Sequence, residues 1–455
     1  MVLLSLESYL LFKRIIFCIV TSSLISIGEN RNTFDAVQFG AVGDGKTDDS
    51  KNLFASVVFF FYIVTFSFSI GESESSFNVV DFDAVGDGKT DDSTAFSKAW
   101  KAVCEAGGDK PTLAIPYGKT FLLQSTRFEG PCKSQYVQIQ ILGNIIAPES
   151  SKARTDSKSK CWLCFNAIYG LIMQGSGTID GLGSSWWQDK VGNRPRAMYF
   201  HDCNNFDLSG FTIRNSPKVH MAINHCNGGS ISNIHINSPD DSPNTDGITI
   251  SESKQVHIHD SVIESGDDCV AINGGSFNIN VTGIACGPGH GISIGSLGDN
   301  GQEDIVEEVH VQNCSLNGTQ NGVRIKTFQN GSGYARKISF EEITLINCKN
   351  PIIIDQNYNP VHHRKIKTNS LEVSTVSFTS VHGTSANEQA ITLDCSSSPG
   401  CFNIVMNKIN ITSSAPGKQT RAYCNNAYGT SSSTHPAVDC LSKLNDKTHQ
   451  KNYFI

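Results

Sequence analysis

From Cys203 onward the chain repeats one short pattern: apolar, any, apolar, two of any, apolar, any, apolar. It runs as Phe206-Leu208-Phe211-Ile213, then Ile231-Ile234-Ile236 with Gly229 in the first slot. It continues as Val256-Ile258-Ile263 with Ser261 in the third slot, and as Ile279-Val281-Ile284-Cys286. Val309-Val311-Cys314-Leu316, Ile338-Phe340-Ile343-Leu345 and a looser Val376-Phe378-Val381 follow. The second slot falls at 208, 231, 258, 281, 311, 340 and 378, in steps of 23, 27, 23, 30, 29 and 38. Alternation of this kind is strand-like, because successive side chains of a strand point to opposite faces. The two-residue break is a bend between strands. So short a unit cannot bury its apolar face alone, and units must stack. The leucine-rich repeat has a similar period, but its Leu/Asn consensus is absent. The pattern predicts an all-β chain, a single-stranded, right-handed parallel β-helix in one elongated domain over residues 77–455. A short helix near residues 93–104 would cap the first coil and shield its open sheet edge.

The amino terminus departs from this pattern. Residues 1–27 resemble a signal peptide, with Lys13 and Arg14 before an apolar run from Ile15 to Val20. FDAVQFGAVGDGKTDDS starts at Phe34, and FNVVDFDAVGDGKTDDS starts 43 residues later at Phe77. Residues 28–52 thus read as a partial duplicate of the mature start. Residues 53–71 read as a second signal-like segment. The uncharged run at 53–70 reaches the lower length limit for spanning a bilayer, so a membrane partner is expected only if it is retained. The GDGKTDD turn lacks a complete phosphate-loop motif.

Composition narrows the function classes. Of 455 residues, 17% are charged and 40 are glycine, which is not a disordered composition. The net charge of −7 argues against nucleic acid as a partner. Setting aside Cys18, fourteen of the 15 cysteines remain, an even number. Cys161 and Cys164 form a CxxC without a second one, which favours a disulfide over a metal site. Asn280, Asn317, Asn330 and Asn410 each open a glycosylation sequon. With the cysteines they predict a secreted, extracellular protein.

Candidate chemistry is concentrated between Asn244 and Lys326. Asn244-Thr245-Asp246-Gly247, Gly266-Asp267-Asp268-Cys269, Gly289-His290-Gly291 and Arg324-Ile325-Lys326 follow in order. Asp246 to Asp268 is 22 residues, and Asp268 to His290 is again 22. At one coil per interval these residues stack on one surface. Three crowded carboxylates cannot all ionise easily, so at least one should hold a proton. A protonated carboxyl beside ionised ones is equipment for cleaving a glycosidic bond. Arg324 and Lys326 alternate on one strand and can hold an anionic substrate group. Singly, an Asp-Asp pair reads as a solvated turn and a lone His as structural. Four such elements in register with the repeat argue otherwise.

Those four motifs carry a resemblance. The chain resembles the polygalacturonases, pectin-hydrolysing family 28 glycoside hydrolases of the plant secreted type, in its NTD, GDD, GHG and RIK motifs and in the GDGKTDD start. The resemblance covers residues 77–440. It implies a pectin lyase-like β-helix that hydrolyses α-1,4-galacturonosidic bonds of cell-wall polygalacturonan with inversion, as a monomer, without cofactor or metal. It implies Asp267 as general acid, Asp246 and Asp268 as the groups that position and deprotonate water, and His290 as the group maintaining the acid's proton. Asn244, Arg324, Lys326 and Tyr358 would bind substrate. It also implies the disulfides Cys269–Cys286, Cys395–Cys401 and Cys424–Cys440. The pairing of the other cysteines stays open, with Cys314 and Cys348 as candidates for buried free thiols. Asp83 stands where relatives and the first copy (Gly40) have glycine, so a charge there is expected to strain the first strand. A non-catalytic pectin-binding wall protein and a calcium-dependent pectate lyase are the alternatives. The first would not need Asp267, and the second would not need the Asp246, Asp267, Asp268 and His290 set.

Overall fold

The computed structural model describes residues 75–149, 160–189, 193–358 and 370–441. The doubled leader, the apolar run at 53–70 and the other expectations about residues 1–71 lie outside the described residues.

Each coil contributes three short strands, one to each face of a prism. One coil consists of Asn227–Ser232, His235–Asn237 and Ile248–Ser251. The next consists of Lys254–His259, Val262–Glu264 and Val270–Ile272, each pairing in parallel with its counterpart. In later coils the first two strands merge into single bent strands such as Ser332–Cys348. The third face is an unbroken ladder of eleven strands. This is the parallel β-helix predicted from the repeat.

The repeat register is reproduced residue by residue. Leu208, Ile231, Ile258, Val281, Val311, Phe340 and Phe378 lie opposite one another on consecutive strands, and Met406 extends the column. All are buried. The two exceptions to the pattern have local causes. A Cβ on Gly229 would lie 2.3 Å from the Phe206 ring, which fills that slot from the coil below. Ser261 keeps its hydroxyl satisfied, donating to the His259 carbonyl (2.9 Å) and accepting from the Ile234 N–H (3.1 Å).

The open edge of the first coil is covered by the α-helix Ser93–Glu105, which ends one residue beyond the predicted span. Ala95, Phe96, Ala99, Trp100 and Val103 recur at helical spacing and are buried against the sheet. Asp92 fixes the preceding turn by accepting from the N–H groups of Val85 (2.7 Å) and Gly86 (3.1 Å). The expectation for Asp83 needs correction. It lies past the first strand, Ser76–Asn78, and ends the short 3-10 helix Val79–Phe82 with φ of 74°. The cost there is conformational: a left-handed backbone suits the Gly40 of the first copy better than an aspartate.

Cys269 pairs with Cys286, Cys395 with Cys401, and Cys424 with Cys440. Cys104–Cys132 and Cys161–Cys164 are also joined. Cys203, Cys226, Cys314 and Cys348 are free and buried, and burial pushes the Cys226 thiol up to about 12. These four act as small core residues, which is why an even cysteine count did not mean complete pairing. Asn317 and Asn410 are exposed, whereas Asn280 and Asn330 are half-buried.

Candidate active site

The site grows out of the turns that lead into the third face. Ile248, Val270 and Ile292 are in register on three consecutive strands. Asp246, Asp268 and His290 each stand two residues earlier, so the repeated interval is one coil. The turns are stitched to one another by backbone. The Gly247 N–H donates to the Asp268 carbonyl (2.9 Å), and the Cys269 N–H donates to the Gly291 carbonyl (2.8 Å). The His290 N–H donates to the Asp267 carbonyl (2.7 Å). Thr245 is buried and accepts from the Gly266 N–H (3.0 Å), which locks the first motif onto the second. Gly291 has φ of 90°, and a Cβ there would meet the Asn321 carbonyl at 2.2 Å. The GHG turn therefore excludes other residues after His290. The Cys269–Cys286 bridge joins the end of the Asp267-Asp268 turn to the following wall strand.

Asp268 is almost completely buried. Its carboxylate accepts from Arg324 Nη2 (2.7 Å), Lys326 Nζ (2.8 Å) and Ser293 Oγ (2.8 Å). Arg324 Nε also donates to Ser293 Oγ (3.0 Å). Both cations are thus engaged by Asp268. Lys326 Nζ also lies 5.5 Å from the centre of the Tyr358 ring, which is set by an edge contact with Phe328.

Asp267 is half-buried and meets His290 Nδ1 at 2.9 Å. Burial pushes its carboxyl up, but the hydrogen bond and charge of His290, with the charge of Lys326, outweigh this and hold it below its ordinary value. Asp246 goes the other way. Burial first, then the neighbouring charges of Asp267 and Asp268, raise it well above the usual carboxylate range. Crowding thus raises Asp246, while Asp267, the expected general acid, is lowered. Asn244 donates to Asp267 Oδ2 at 3.5 Å and is oriented by Arg194 Nη2, which donates to its Oδ1 (2.7 Å).

The structure brings together Asn244, Asp246, Asp267, Asp268, His290, Arg324, Lys326 and Tyr358. Four further residues carried no motif. Arg194 and Ser293 orient side chains of the site. His220 lies one coil before Asp246, buried, with Nδ1 on the Asp246 carbonyl (3.0 Å) and Nε2 on Ser238 Oγ (2.8 Å). Burial lowers it to about 4, so it is a neutral prop. Lys218 is half-buried, and burial lowers its ammonium. Only Ser293 had a signal in the sequence: it is in register with Arg324. Ligand atoms of Asp267, Asp268 and His290 lie within 4.8 Å of one another, a spacing that could hold a metal ion. The Arg324 and Lys326 charges already on Asp268 oppose a cation there.

The description of Glycosyl hydrolases family 28 matches residues 104–434. The chain belongs to family 28. Its relatives include a probable polygalacturonase of Arabidopsis thaliana, 47% identical over 427 residues, spanning 93% of this chain and 83% of that one. A polygalacturonase of Persea americana is 40% identical over 344 residues, 73% of each chain. Among solved structures, the polygalacturonase of Erwinia carotovora ssp. carotovora superposes with a TM-score of 0.65 at 23% identity, covering 79% of this chain and 97% of that one. The endo-xylogalacturonan hydrolase of Aspergillus tubingensis gives 0.69 at 24% identity, covering 79% of this chain and 100% of that one. At those identities the structures support the β-helix fold, while the family 28 assignment rests on the sequence matches.

Proposed function

We propose that this family 28 chain hydrolyses α-1,4-galacturonosidic bonds of polygalacturonan in plant cell-wall pectin. One observation carries the reading: three aspartates and His290 meet a buried Arg324-Lys326 pair on one surface. The cations suit a substrate that bears a carboxylate on every sugar, and the carboxyl group suits acid–base cleavage between sugars.

In this mechanism Asp267 gives its proton to the leaving glycosidic oxygen as the bond to the anomeric carbon breaks. Water attacks that carbon from the opposite face, and its proton passes to Asp246 or Asp268. The product has inverted configuration. The cluster must enter the reaction with one proton in place. For Asp267 to carry it, His290 must be neutral, with Nδ1 accepting from the Asp267 carboxyl. Protonated His290 instead holds Asp267 ionised. Arg324 and Lys326 turn from Asp268 toward the galacturonate carboxylate when substrate arrives. Five disulfides among the described residues suit an oxidising compartment, and the sequons at Asn317 and Asn410 are exposed, which supports action outside the cell. No helix among the described residues is long and apolar enough to cross a membrane.

The test is incubation with de-esterified polygalacturonate and a chelator. New reducing ends without the absorbance of unsaturated products, with the inverted anomer seen by NMR, support the reading. Calcium-dependent absorbance means a lyase instead. Absence of turnover on any pectin means a binding protein.

A further inference from the structure

Behind the carboxylates lies a buried cation that the acid–base scheme leaves unused. Arg194 stands in the turn before the strand Arg196–His201. Its Nη1 donates to the carbonyls of Pro217 (3.3 Å) and Pro243 (2.5 Å), and its Nη2 donates to Asn244 Oδ1 (2.7 Å). Its Nε is buried without a hydrogen-bond partner. Among the described residues no carboxylate forms an ion pair with it, although Asp189 acts on it at longer range. A guanidinium taken out of water for three neutral oxygens stabilises a fold poorly. Its use lies in what it orients.

The coil sets its reach. Arg194, Pro217 and Asn244 each stand four residues before Met198, Met221 and Ile248, which are in register on consecutive strands. The side chain thus climbs two coils, about 10 Å at ~4.8 Å per strand, to the turn that carries Asn244 and Asp246. Arginine can only donate, so the amide oxygen of Asn244 must face it. The amide nitrogen then faces the next coil, where Nδ2 lies 3.5 Å from Asp267 Oδ2. Asp267 Oδ1 is already engaged by the Asp268 N–H (2.9 Å) and by His290 Nδ1 (2.9 Å). Asn244 is therefore the donor aimed at Oδ2, and at 3.5 Å its hydrogen bond has room to tighten.

We infer that Arg194 is a positioning residue for the acid step: it locks the Asn244 amide so that Nδ2 points at the negative charge that appears when Asp267 gives up its proton. The inference rests on the galacturonan reading and adds a residue to its chemistry. The O–H bond of Asp267 breaks, the proton bonds to the glycosidic oxygen, and the electron pair stays on the carboxylate, spread over Oδ1 and Oδ2. Asn244 Nδ2 donates to Oδ2 more strongly as that charge grows, which favours the transition state over the ground state. The charged and titratable groups facing Asp267 are His290 from the following coil, Asp246 from the preceding one, Asp268 beside it and Lys326 from two strands on. Arg194 adds to these through the amide. A donor to the ionised form lowers a carboxyl, so without it Asp267 keeps its proton to higher pH.

The experiment follows kcat and KM on de-esterified polygalacturonate across pH for the full chain, Arg194→Met, Arg194→Lys, Asn244→Ala and R194M/N244A. Arg194→Met should lower kcat ~10–100-fold, the factor one hydrogen bond to a charged group supplies, with KM nearly unchanged. It should also move the alkaline limb of kcat/KM to higher pH. Arg194→Lys keeps a donor for Asn244 Oδ1 and should restore the limb. In the Asn244→Ala background, removing Arg194 should not move the limb further. The limb is read on folded molecules alone, so it stays legible in a variant that melts lower. An unmoved limb in Arg194→Met, or a further full shift in R194M/N244A, overturns the inference and leaves the galacturonan reading intact. If Arg194→Met does not fold, Asn244→Asp decides, since it keeps an acceptor for Arg194 and removes only the donor facing Asp267. A limb moved to higher pH then supports the inference, and an unmoved one overturns it. Absence of turnover by the parent chain overturns the galacturonan reading, and the role of Arg194 falls with it.

Discussion

Two regions of the molecule are built from the same parts, one carboxylate between an arginine and a lysine, and behave differently. On an outer face, Glu307 accepts from Arg336 Nη2 (3.1 Å) and Lys337 Nζ (2.7 Å), whose side chains are 41% and 51% exposed. On the third face, Asp268 accepts from Arg324 (2.7 Å) and Lys326 (2.8 Å), whose side chains are only 10% and 9% exposed. The Glu307 carboxyl is held down to about 2 by its two cations, and nothing further follows. Lys326 also acts on Asp246 and Asp267, yet burial and the neighbouring carboxylates still raise Asp246 well above the usual carboxylate range. The lesson is that an ion triad becomes chemically useful when more acid is packed around it than its cations can neutralise.

The largest effect that would break this comparison is on rate. Asp267→Asn should lower kcat by ~10²–10⁴-fold, the usual worth of a general acid, with an unchanged melting temperature. Any change at Glu307 should leave the rate alone. On stability, Asp268→Ala leaves Arg324 and Lys326 buried without their shared anion and should cost about 3–5 kcal/mol in denaturant unfolding. A loss of the same size in Glu307→Ala would erase the distinction, because half-exposed ion pairs contribute at most ~1 kcal/mol.

Acid titration sharpens the contrast, since the two regions have opposite signs. The Glu307 value is depressed on folding, so its contribution is present above the ordinary glutamate value and is lost as pH falls toward 2. The melting difference between parent and Glu307→Gln should therefore vanish in strong acid. Asp246 is raised on folding, so its neutral form favours the fold below the ordinary aspartate value, and that benefit is lost as pH rises through the raised value. Asp246→Asn should thus melt higher than the parent at alkaline pH and lose that advantage in acid. The smallest effect is at the capped edge. Asp83→Gly removes a left-handed aspartate, 91% exposed and only 3.7 Å from Lys98, and should stabilise by up to ~1 kcal/mol.

Much of this was legible in the residues. The column from Leu208 to Phe378 could be read because strand alternation and coil stacking use the same positions in every coil. Asp246, Asp268 and His290 could be placed on one surface because their spacing equals a coil. Arg194, Lys218 and His220 were not legible. They lie on turns and strand ends one or two coils earlier, belong to no motif, and reach the site only through side-chain length and backbone approach. Cys203 and Cys226 were equally opaque, since a buried thiol and a disulfide partner look alike in a sequence.

Period, face and chemical type were determined by the sequence alone, because a solenoid converts spacing along the chain directly into neighbours in space. Which aspartate is raised and which lowered, and that Asp268 is the anion paired with Arg324 and Lys326, were decided by the tertiary structure. Those outcomes depend on burial and on separations of a few ångströms between side chains from different coils, and no local pattern encodes them.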